Sequence, residues 1–221
     1  MSQGIKRILV TRSSGMIGTR LSEVLIKEGY VVIGADKRKN VWNKKINDLT
    51  IKIDLLKKKS VFNILPKNVD CIIHLAANAR VFDLVKDPSL ARDNFETTFN
   101  VLDFVRKNSI PRFILASSRE VYGNSKKIRR KESNVLINNC ESPYSATKIG
   151  SETLVQSYHH CYGIDFLIFR LSNVYGMYDD SDRIIPLFIK KCLKQDSLEI
   201  YGNNKVLDFT HVDDVVKGII M

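Results

Sequence analysis

The sequence predicts an α/β protein built on a doubly wound parallel sheet. Short apolar runs with the length of buried strands alternate with amphipathic helical stretches from the first residues onward. A turn containing two glycines joins the first strand to the first helix. With 221 residues, 44% of them hydrophobic, the chain is long enough to bury one substantial core.

The individual elements follow from residue periodicity and from their end signals. The first strand is predicted at residues 8–10, and the first helix at residues 17–28, where Gly29 ends it. Further strands are predicted at residues 30–34, 50–53, 71–75, 112–116 and 166–170. Long helices are predicted at residues 89–107 and 144–162.

The pattern changes after Asn173. A helix is predicted at residues 184–194, followed by the segments 198–202 and 207–212 and a last helix that begins near Asp213. That helix reaches Met221 without a stop signal, so we expect the chain to be truncated there.

Composition limits the compartment and the partners. No apolar run is long enough to cross a bilayer, and the start lacks a signal-peptide core, which predicts a cytoplasmic protein without a membrane partner. Four cysteines are widely spaced and show no metal-ligand pattern, so we expect buried free thiols and no metal site; they are Cys71, Cys140, Cys161 and Cys192.

The net charge of +11 has two interpretations. Its basic clusters, at residues 37–39, 57–59 and 126–131, are compatible with nucleic-acid binding. However, no aromatic residues lie between the lysines and no nucleic-acid module is recognisable. We therefore favour solvated loops that help to attract an anionic cofactor and substrate, and no nucleic-acid partner.

A tyrosine and a lysine on one helical face are the main catalytic candidates. Ser142 and Pro143 form a helix start signal, and Tyr144 and Lys148 follow four residues apart, so the phenol and the ammonium face the same way. A nearby cation is expected to lower the tyrosine pKa, as a general base requires. In isolation such a pair is a weak signal, and two ordinary helix-surface side chains are its usual explanation.

The turn after the first strand predicts a nucleotide site. Gly15 and Gly18 let backbone amides approach a pyrophosphate, and the predicted cofactor loop is Gly15, Met16, Ile17 and Gly18. Asp36, after the second strand, is spaced to accept hydrogen bonds from an adenosine ribose. A plain strand-to-helix turn is the alternative for the glycines.

An ordered set of motifs across the chain resembles the extended short-chain dehydrogenase/reductases, in particular the NAD-dependent sugar-nucleotide epimerases and dehydratases. The matching segments are residues 10–18, 54–55, 74–77, Asn94, 116–123, Tyr144 with Lys148, 170–176 and 208–214. The resemblance implies a Rossmann domain over residues 1–172 and an incomplete substrate-binding subdomain over residues 173–221.

The resemblance also assigns roles. It implies that NAD binds with Asp54 and Leu55 at the adenine and with Leu75, Ala76 and Ala77 along the cleft. Tyr144 would be the catalytic base, Lys148 would hold the nicotinamide ribose, and Ser118 would bind the reacting sugar hydroxyl. Asn173 would touch the nucleotide-sugar, unless it only holds a turn. The implied function is a UDP-glucose 4-epimerase-like reaction through a transient keto sugar.

Glu120 leaves a second reaction open. Similar dehydratases and decarboxylases place an acid/base glutamate at this position, but many epimerases also carry one, and a structural salt bridge is equally compatible. The dehydratase pattern has an acidic residue just before it, where this chain has Arg119, and this difference argues against dehydration.

The chain departs from the family pattern at two further positions. Arg12 replaces the first glycine of the loop, where it would strain the backbone by about 1 kcal/mol, intrude on the adenosine or contact a phosphate. A 2′-phosphate is disfavoured because Asp36 would repel it, so NAD is the expected cofactor. Leu207 replaces the arginine that usually holds the substrate diphosphate. A non-catalytic NAD-binding sensor or assembly protein therefore remains an alternative.

The resemblance implies a homodimer as well. The helices predicted at residues 89–107 and 144–162 correspond to those that form a four-helix dimer interface in this family. Their apolar faces are also compatible with burial against the sheet alone.

Overall fold

The computed structural model describes residues 4, 6–124, 129–135, 137–200, 202 and 206–221. All of the predicted strands of the main sheet are confirmed, with ends shifted by a few residues. The strands are β1 (Arg7–Thr11), β2 (Val31–Asp36), β3 (Thr50–Lys52), β4 (Cys71–His74), β5 (Arg112–Ser118), β6 (Asp165–Leu171), β7 (Asn173–Tyr175) and β8 (Phe209–His211).

The long helices also lie where periodicity places them. The helices are α1 (Met16–Lys27), α2 (Lys44–Asp48), α3 (Lys58–Ile64), α4 (Val81–Lys86), α5 (Ser89–Lys107), α6 (Pro143–Tyr162), α7 (Ile184–Leu193) and α8 (Val212–Ile220). The sequence analysis did not predict α2, α3 or α4, because five to seven residues give too few turns for a clear periodic pattern.

The first six strands form one parallel sheet in the order β3-β2-β1-β4-β5-β6. The chain moves outward from β1 in one direction, then returns to β4 and moves outward in the other. This order confirms the doubly wound sheet. The carboxyl ends of β1 and β4, where the direction changes, are the place at which such sheets bind ligands.

Two apolar clusters cover the two faces of this sheet. The first contains Phe104 from α5, Phe113 from β5 and Val155 from α6. The second contains Ile8 from β1 and Leu21 from α1, and Val212, Val215, Val216 and Ile219 of α8 belong to it as well. The last helix therefore completes the core of the main sheet, although it lies in the segment predicted as a separate subdomain.

Residues 173–221 add a small second sheet. Strands β7 and β8 pair in parallel, with Asn173 opposite Phe209. Residues 198–200, part of an apolar segment noted in the sequence, lie in no strand.

Other sequence expectations meet mixed outcomes. Cys71 is buried in β4, and burial raises its pKa to about 12. The expectation of buried thiols is wrong for Cys140, Cys161 and Cys192, which are exposed because they lie outside the sheet. Residues 126–128 of the third basic cluster lie outside the described residues. No described helix is long and apolar enough to cross a membrane.

We expect Val216→Ala to destabilise the whole fold. Val216 is 1% exposed in the second cluster, and removing two buried methyl groups costs about 2 kcal/mol. Urea unfolding measures this change, with Lys217→Ala on the exposed side of α8 as control. Equal stability of the two variants would show that α8 does not share the core.

Candidate active site and cofactor cleft

A hydroxyl group joins the two strands at which the sheet changes direction. The Oγ1 atom of Thr11, at the end of β1, accepts hydrogen bonds from the amides of Leu75 (3.0 Å) and Ala76 (3.1 Å) after β4. Its own proton then points to Nδ1 of His74 at 3.1 Å. This arrangement fixes the backbone that leaves β4 relative to the end of β1.

His74 continues this network as a neutral ring. Because Nδ1 accepts from Thr11, the proton lies on Nε2, which faces Oγ1 of Thr98 at 3.4 Å. Burial first, and the charge of Lys148 second, lower the pKa of His74 to about 3. The ring therefore stays uncharged at neutral pH and acts as a spacer between β4 and α5.

The glycine turn brings the start of α1 close to the end of β1. Gly15 is the N-cap of α1, and its amide donates to the carbonyl of Arg12 at 3.0 Å. A Cβ atom on Gly18 would lie 2.2 Å from that carbonyl oxygen, so only glycine allows this approach. The first-turn amides of α1 have no partners within the helix, as at any helix start, and can bind an anion.

A cavity of about 350 Å³ opens beside this turn. Five residues predicted to bind the cofactor line it: Asp36, Asp54, Leu55, Ala76 and Ala77. The other seven do not line it: Gly15, Met16, Ile17, Gly18, Leu75, Tyr144 and Lys148. Of these, Met16, Ile17 and Leu75 pack against the second apolar cluster. Only their backbone could face a ligand in the cleft.

Asp36 is held in place by backbone amides. Its carboxylate accepts from the amide of Ser14 at 3.0 Å and from that of Arg38 at 2.9 Å. A carboxylate has about four acceptor positions, so further positions remain for hydroxyl groups of a ligand. Asp36 is 6% exposed and lies at the cavity wall.

Two asparagines form the opposite wall of the cavity. The side chain of Asn94 accepts from the amide of Asn78 at 2.6 Å and donates to its carbonyl at 2.9 Å. This pair ties the loop after β4 to α5. Asn94 belongs to the family motifs, whereas its partner Asn78 lies in an irregular loop and has no sequence signal.

The catalytic candidates meet at the end of β5. Ser142 caps α6 by accepting from the amide of Ser145 at 3.1 Å, so the helix begins where the Ser-Pro signal predicts. Tyr144 and Lys148 share a face, with Nζ of Lys148 5.8 Å from the centre of the phenol ring. Ser118 ends β5 and hydrogen-bonds Tyr144.

The electrostatics of this trio differ from the expectation. The pKa of Tyr144 is raised, by burial above all, while the hydrogen bond from Ser118 and the charges of Arg183 and Arg12 lower it. The prediction that the Lys148 ammonium lowers the pKa of Tyr144 is wrong, because burial has the larger effect. Nζ of Lys148 instead donates to the carbonyl of Ala116 at 2.7 Å. Burial and Arg12 lower the pKa of Lys148 to about 8.

A buried ion pair sets the rotation of α6. Glu152, one turn after Lys148, pairs with Arg170 of β6 at 2.8 Å and accepts a short hydrogen bond from Ser117 of β5. Glu152 is 4% exposed, and this pairing raises the pKa of Arg170. The sequence analysis missed Glu152, although its spacing of four residues from Lys148 places it on the catalytic face.

Glu120 and Asn173 make structural contacts. Glu120 pairs with Arg119 at 3.3 Å, as in the salt-bridge interpretation, and its side chain is 30% exposed. Nδ2 of Asn173 donates to the carbonyl of Asp208 at 2.9 Å, which holds β7 against the segment before β8. Leu207 is exposed. No cluster of metal-ligating side chains occurs among the described residues.

The sheet order, the glycine turn and the Ser118, Tyr144 and Lys148 trio define an enzyme of the extended short-chain dehydrogenase/reductase class. The profile of the NAD dependent epimerase/dehydratase family matches residues 8–221. This chain belongs to that family, whose members are enzymes and whose cofactor is NAD.

Individual relatives represent both reactions of the family. The chain is 32% identical to the UDP-glucuronate 4-epimerase of Thermodesulfobacterium geofontis, covering 96% of this chain and 70% of that protein. Among solved structures, it is similar to the UDP-N-acetylglucosamine 4-epimerase of Methanobrevibacter ruminantium (TM-score 0.86, 31% identity, 99% and 73% coverage). A dTDP-glucose 4,6-dehydratase of Streptomyces venezuelae, crystallised with NAD, gives a TM-score of 0.85 at 29% identity, with 96% and 70% coverage.

The cleft fits the cofactor that the family uses. Asp36 has free acceptor positions beside a cavity of ligand size, and the glycine turn presents backbone amides at the start of α1. Asp36, Asp54 and Leu55 would hold the adenosine, and the start of α1 would face the diphosphate.

We expect the stability of the protein to fall at acidic pH because of His74. Its pKa is about 3 in the folded chain and 6.5 unfolded, so only the unfolded state gains a proton between these values. The contribution of neutral His74 to the free energy of unfolding is complete above pH 6.5. Below pH 6.5 it decreases by about 1.4 kcal/mol per pH unit. Urea unfolding from pH 7 to about pH 4.5 measures this loss.

The matched variants are His74→Gln and His160→Gln, the second an exposed histidine on α6. The stability difference between the original protein and His74→Gln should shrink as the pH falls, while His160→Gln should follow the original protein. Parallel curves for His74→Gln would contradict the assignment.

Proposed function

We propose that this protein is an NAD-dependent epimerase that inverts C4 of a UDP-sugar. The observation that carries the proposal is the position of Ser118, Tyr144 and Lys148 at the end of β5, beside the cofactor cleft. The similar UDP-sugar 4-epimerases support the choice of substrate class and reaction.

The residues divide the proton transfer between them. Tyr144 in its phenolate form takes the proton from the sugar hydroxyl and becomes the neutral phenol, and the Ser118 hydroxyl orients the sugar hydroxyl. The charges of Arg12 and Arg183 stabilise the phenolate that the transfer requires. Bound NAD would supply the hydride acceptor and donor for the sugar carbon.

The position of Lys148 is fixed by two contacts, one of its own and one of the next turn of α6. Its bond to the Ala116 carbonyl fixes the ammonium at the end of β5, and the Glu152–Arg170 pair fixes the next turn of α6. We infer that Lys148 binds the nicotinamide ribose from this position. Residues 173–221 would supply one wall of the substrate site, with Asn173 at its base.

We also propose that the protein is a cytoplasmic homodimer through α5 and α6. A shallow surface that both helices line has little polar area, and its residues include Ala91, Phe95, Ala146 and Gly150. A Cβ atom on Gly150 would lie 3.2 Å from the Phe95 ring, so small residues keep this surface flat. Light scattering after gel filtration measures the oligomeric state, and a monomer at micromolar protein concentration would contradict the proposed homodimer.

Tyr144→Phe should slow the reaction strongly and leave the fold intact. The ring still packs against Leu84 and Ala91, while loss of the acid/base group lowers turnover by about 10²–10⁴-fold. Epimerisation is measured by NMR with NAD and UDP-glucose or UDP-glucuronate. Tyr158→Phe, on the same helix but in the first apolar cluster, is the matched control. Equal activities of the two variants would contradict the role of Tyr144.

Glu120→Gln should change the epimerisation rate by less than about threefold if Glu120 only pairs with Arg119. Such a partly exposed ion pair contributes about 0–1 kcal/mol to the stability of the fold, so its loss should leave the site intact. If Glu120 is instead an acid/base group, the same variant should lose about 10²-fold or more. The second candidate function, 4,6-dehydration, is favoured by the proximity of Glu120 to Tyr144.

The products separate the alternatives. Inversion at C4 supports the epimerase, a 4-keto-6-deoxy sugar supports a dehydratase, and release of carbon dioxide from UDP-glucuronate supports a decarboxylase. Calorimetric binding of NAD without turnover of either sugar would favour the sensor or assembly role. Absence of NAD binding at millimolar concentration would contradict the enzyme.

A further inference from the structure

Arg12 has an unusual backbone and an unusual side-chain position. Its φ angle is 55°, in the left-handed region that favours glycine, so arginine is retained there at a cost in backbone strain. The side chain lies across the start of α1: its Cγ and Nε atoms are 3.3 Å from the position of a Cβ on Gly15. Arg12 therefore covers the turn at which a dinucleotide approaches the helix.

The guanidinium group of Arg12 has one hydrogen-bond partner among the described residues. It donates a short hydrogen bond to the neutral carbonyl of Ala77, and no described carboxylate forms a direct ion pair with it. Burial and the charge of Arg38 lower its pKa, while the charge of Asp36 opposes this shift. A guanidinium has five N–H donors, so further donors of Arg12 are available to an anion.

Other cations share this part of the cleft. Arg38 lines the same cavity as Arg12, and Lys148 and Arg183 also interact electrostatically with Arg12. None of the three forms an ion pair with a carboxylate of the described residues. Three cations and three carboxylates line the cavity itself, so the positive charge that an anionic ligand would meet is local, at Arg12 and Arg38.

The position of Arg12 between two sites indicates which anion it meets. It interacts electrostatically with Asp36, at the adenosine end, and with Tyr144, at the reaction end. In NAD the diphosphate lies between the two nucleosides. An extended NAD that spans both sites would thus place its diphosphate beside Arg12.

We propose that Arg12 binds the diphosphate of the cofactor, with its guanidinium adding a charged contact where related loops have a glycine. Arginine suits this role because its planar donors match phosphate oxygens. This role in phosphate binding would explain why an arginine is tolerated at a turn where its backbone is strained. The inference rests on the NAD-binding part of the proposed function.

Binding of cofactor fragments tests the proposal without any turnover. Calorimetry compares adenosine, adenosine 2′-monophosphate, ADP and NAD on the original protein, Arg12→Met and Arg12→Gly. We expect both variants to lose about fivefold or more in ADP and NAD affinity, since a charge-assisted contact is lost. Adenosine affinity should change by less than about twofold, and the salt dependence of ADP binding should weaken.

Arg12→Gly makes the test two-sided. Glycine relieves the strain at φ 55°, so this variant should melt at a higher temperature while binding ADP more weakly. Lys67→Met, which removes one exposed charge outside the cleft, is the control for net charge.

If Arg12 instead blocks the cofactor site, its removal should raise the affinity for ADP. ADP affinity that rises in Arg12→Gly, or that falls by less than about fivefold in both variants, would overturn the proposal. A loss confined to adenosine 2′-monophosphate would overturn it as well. If the original protein binds none of the ligands, NAD binding itself is wrong. If it binds NAD and the variants bind equally well, only the role of Arg12 is wrong.

Discussion

The hydroxyl group of Thr11 is the contact on which the site depends. It accepts hydrogen bonds from two backbone amides after β4 and donates one to His74. These bonds lie at the point where the strand order of the sheet changes direction. The cleft exists because β1 and β4 send their following segments to opposite sides. That divergence leaves backbone amides without strand partners, and Thr11 satisfies two of them. The position of Ala76 and Ala77 along the cleft follows from this one side chain.

A second set of contacts orients the reacting groups. Tyr144, Lys148 and Glu152 occupy one stripe of α6, and the pairing of Glu152 with Arg170 fixes the rotation of that stripe. A buried ion pair gives little net stability, but its geometry is demanding. Here it also places a carboxylate near Lys148, where it opposes the effect of burial on the lysine pKa. Orientation and charge balance thus come from the same pair.

The sequence predicted the features that local chemistry dictates. Strand runs, the Ser142-Pro143 helix start and the glycine turn each need only neighbouring residues, and all three are present. The pKa of Tyr144 could not be predicted, because burial by Leu84 and Ala91 depends on distant packing. For the same reason the pairing of Asn78 with Asn94 and of Glu152 with Arg170 had no reliable sequence signal. The side-chain path of Arg12 likewise depends on Ala77, which is remote in sequence.

The packing of α8 against α1 has a consequence for synthesis of the chain. The apolar side of β1 and α1 is made early, whereas the valines that cover it, at positions 212–216, are made much later. Domains usually fold as units while the chain grows. In this protein the second face of the sheet stays open until Val212 and Val216 arrive. Until then, the apolar side chains of β1 and α1 on that face have no partner from α8.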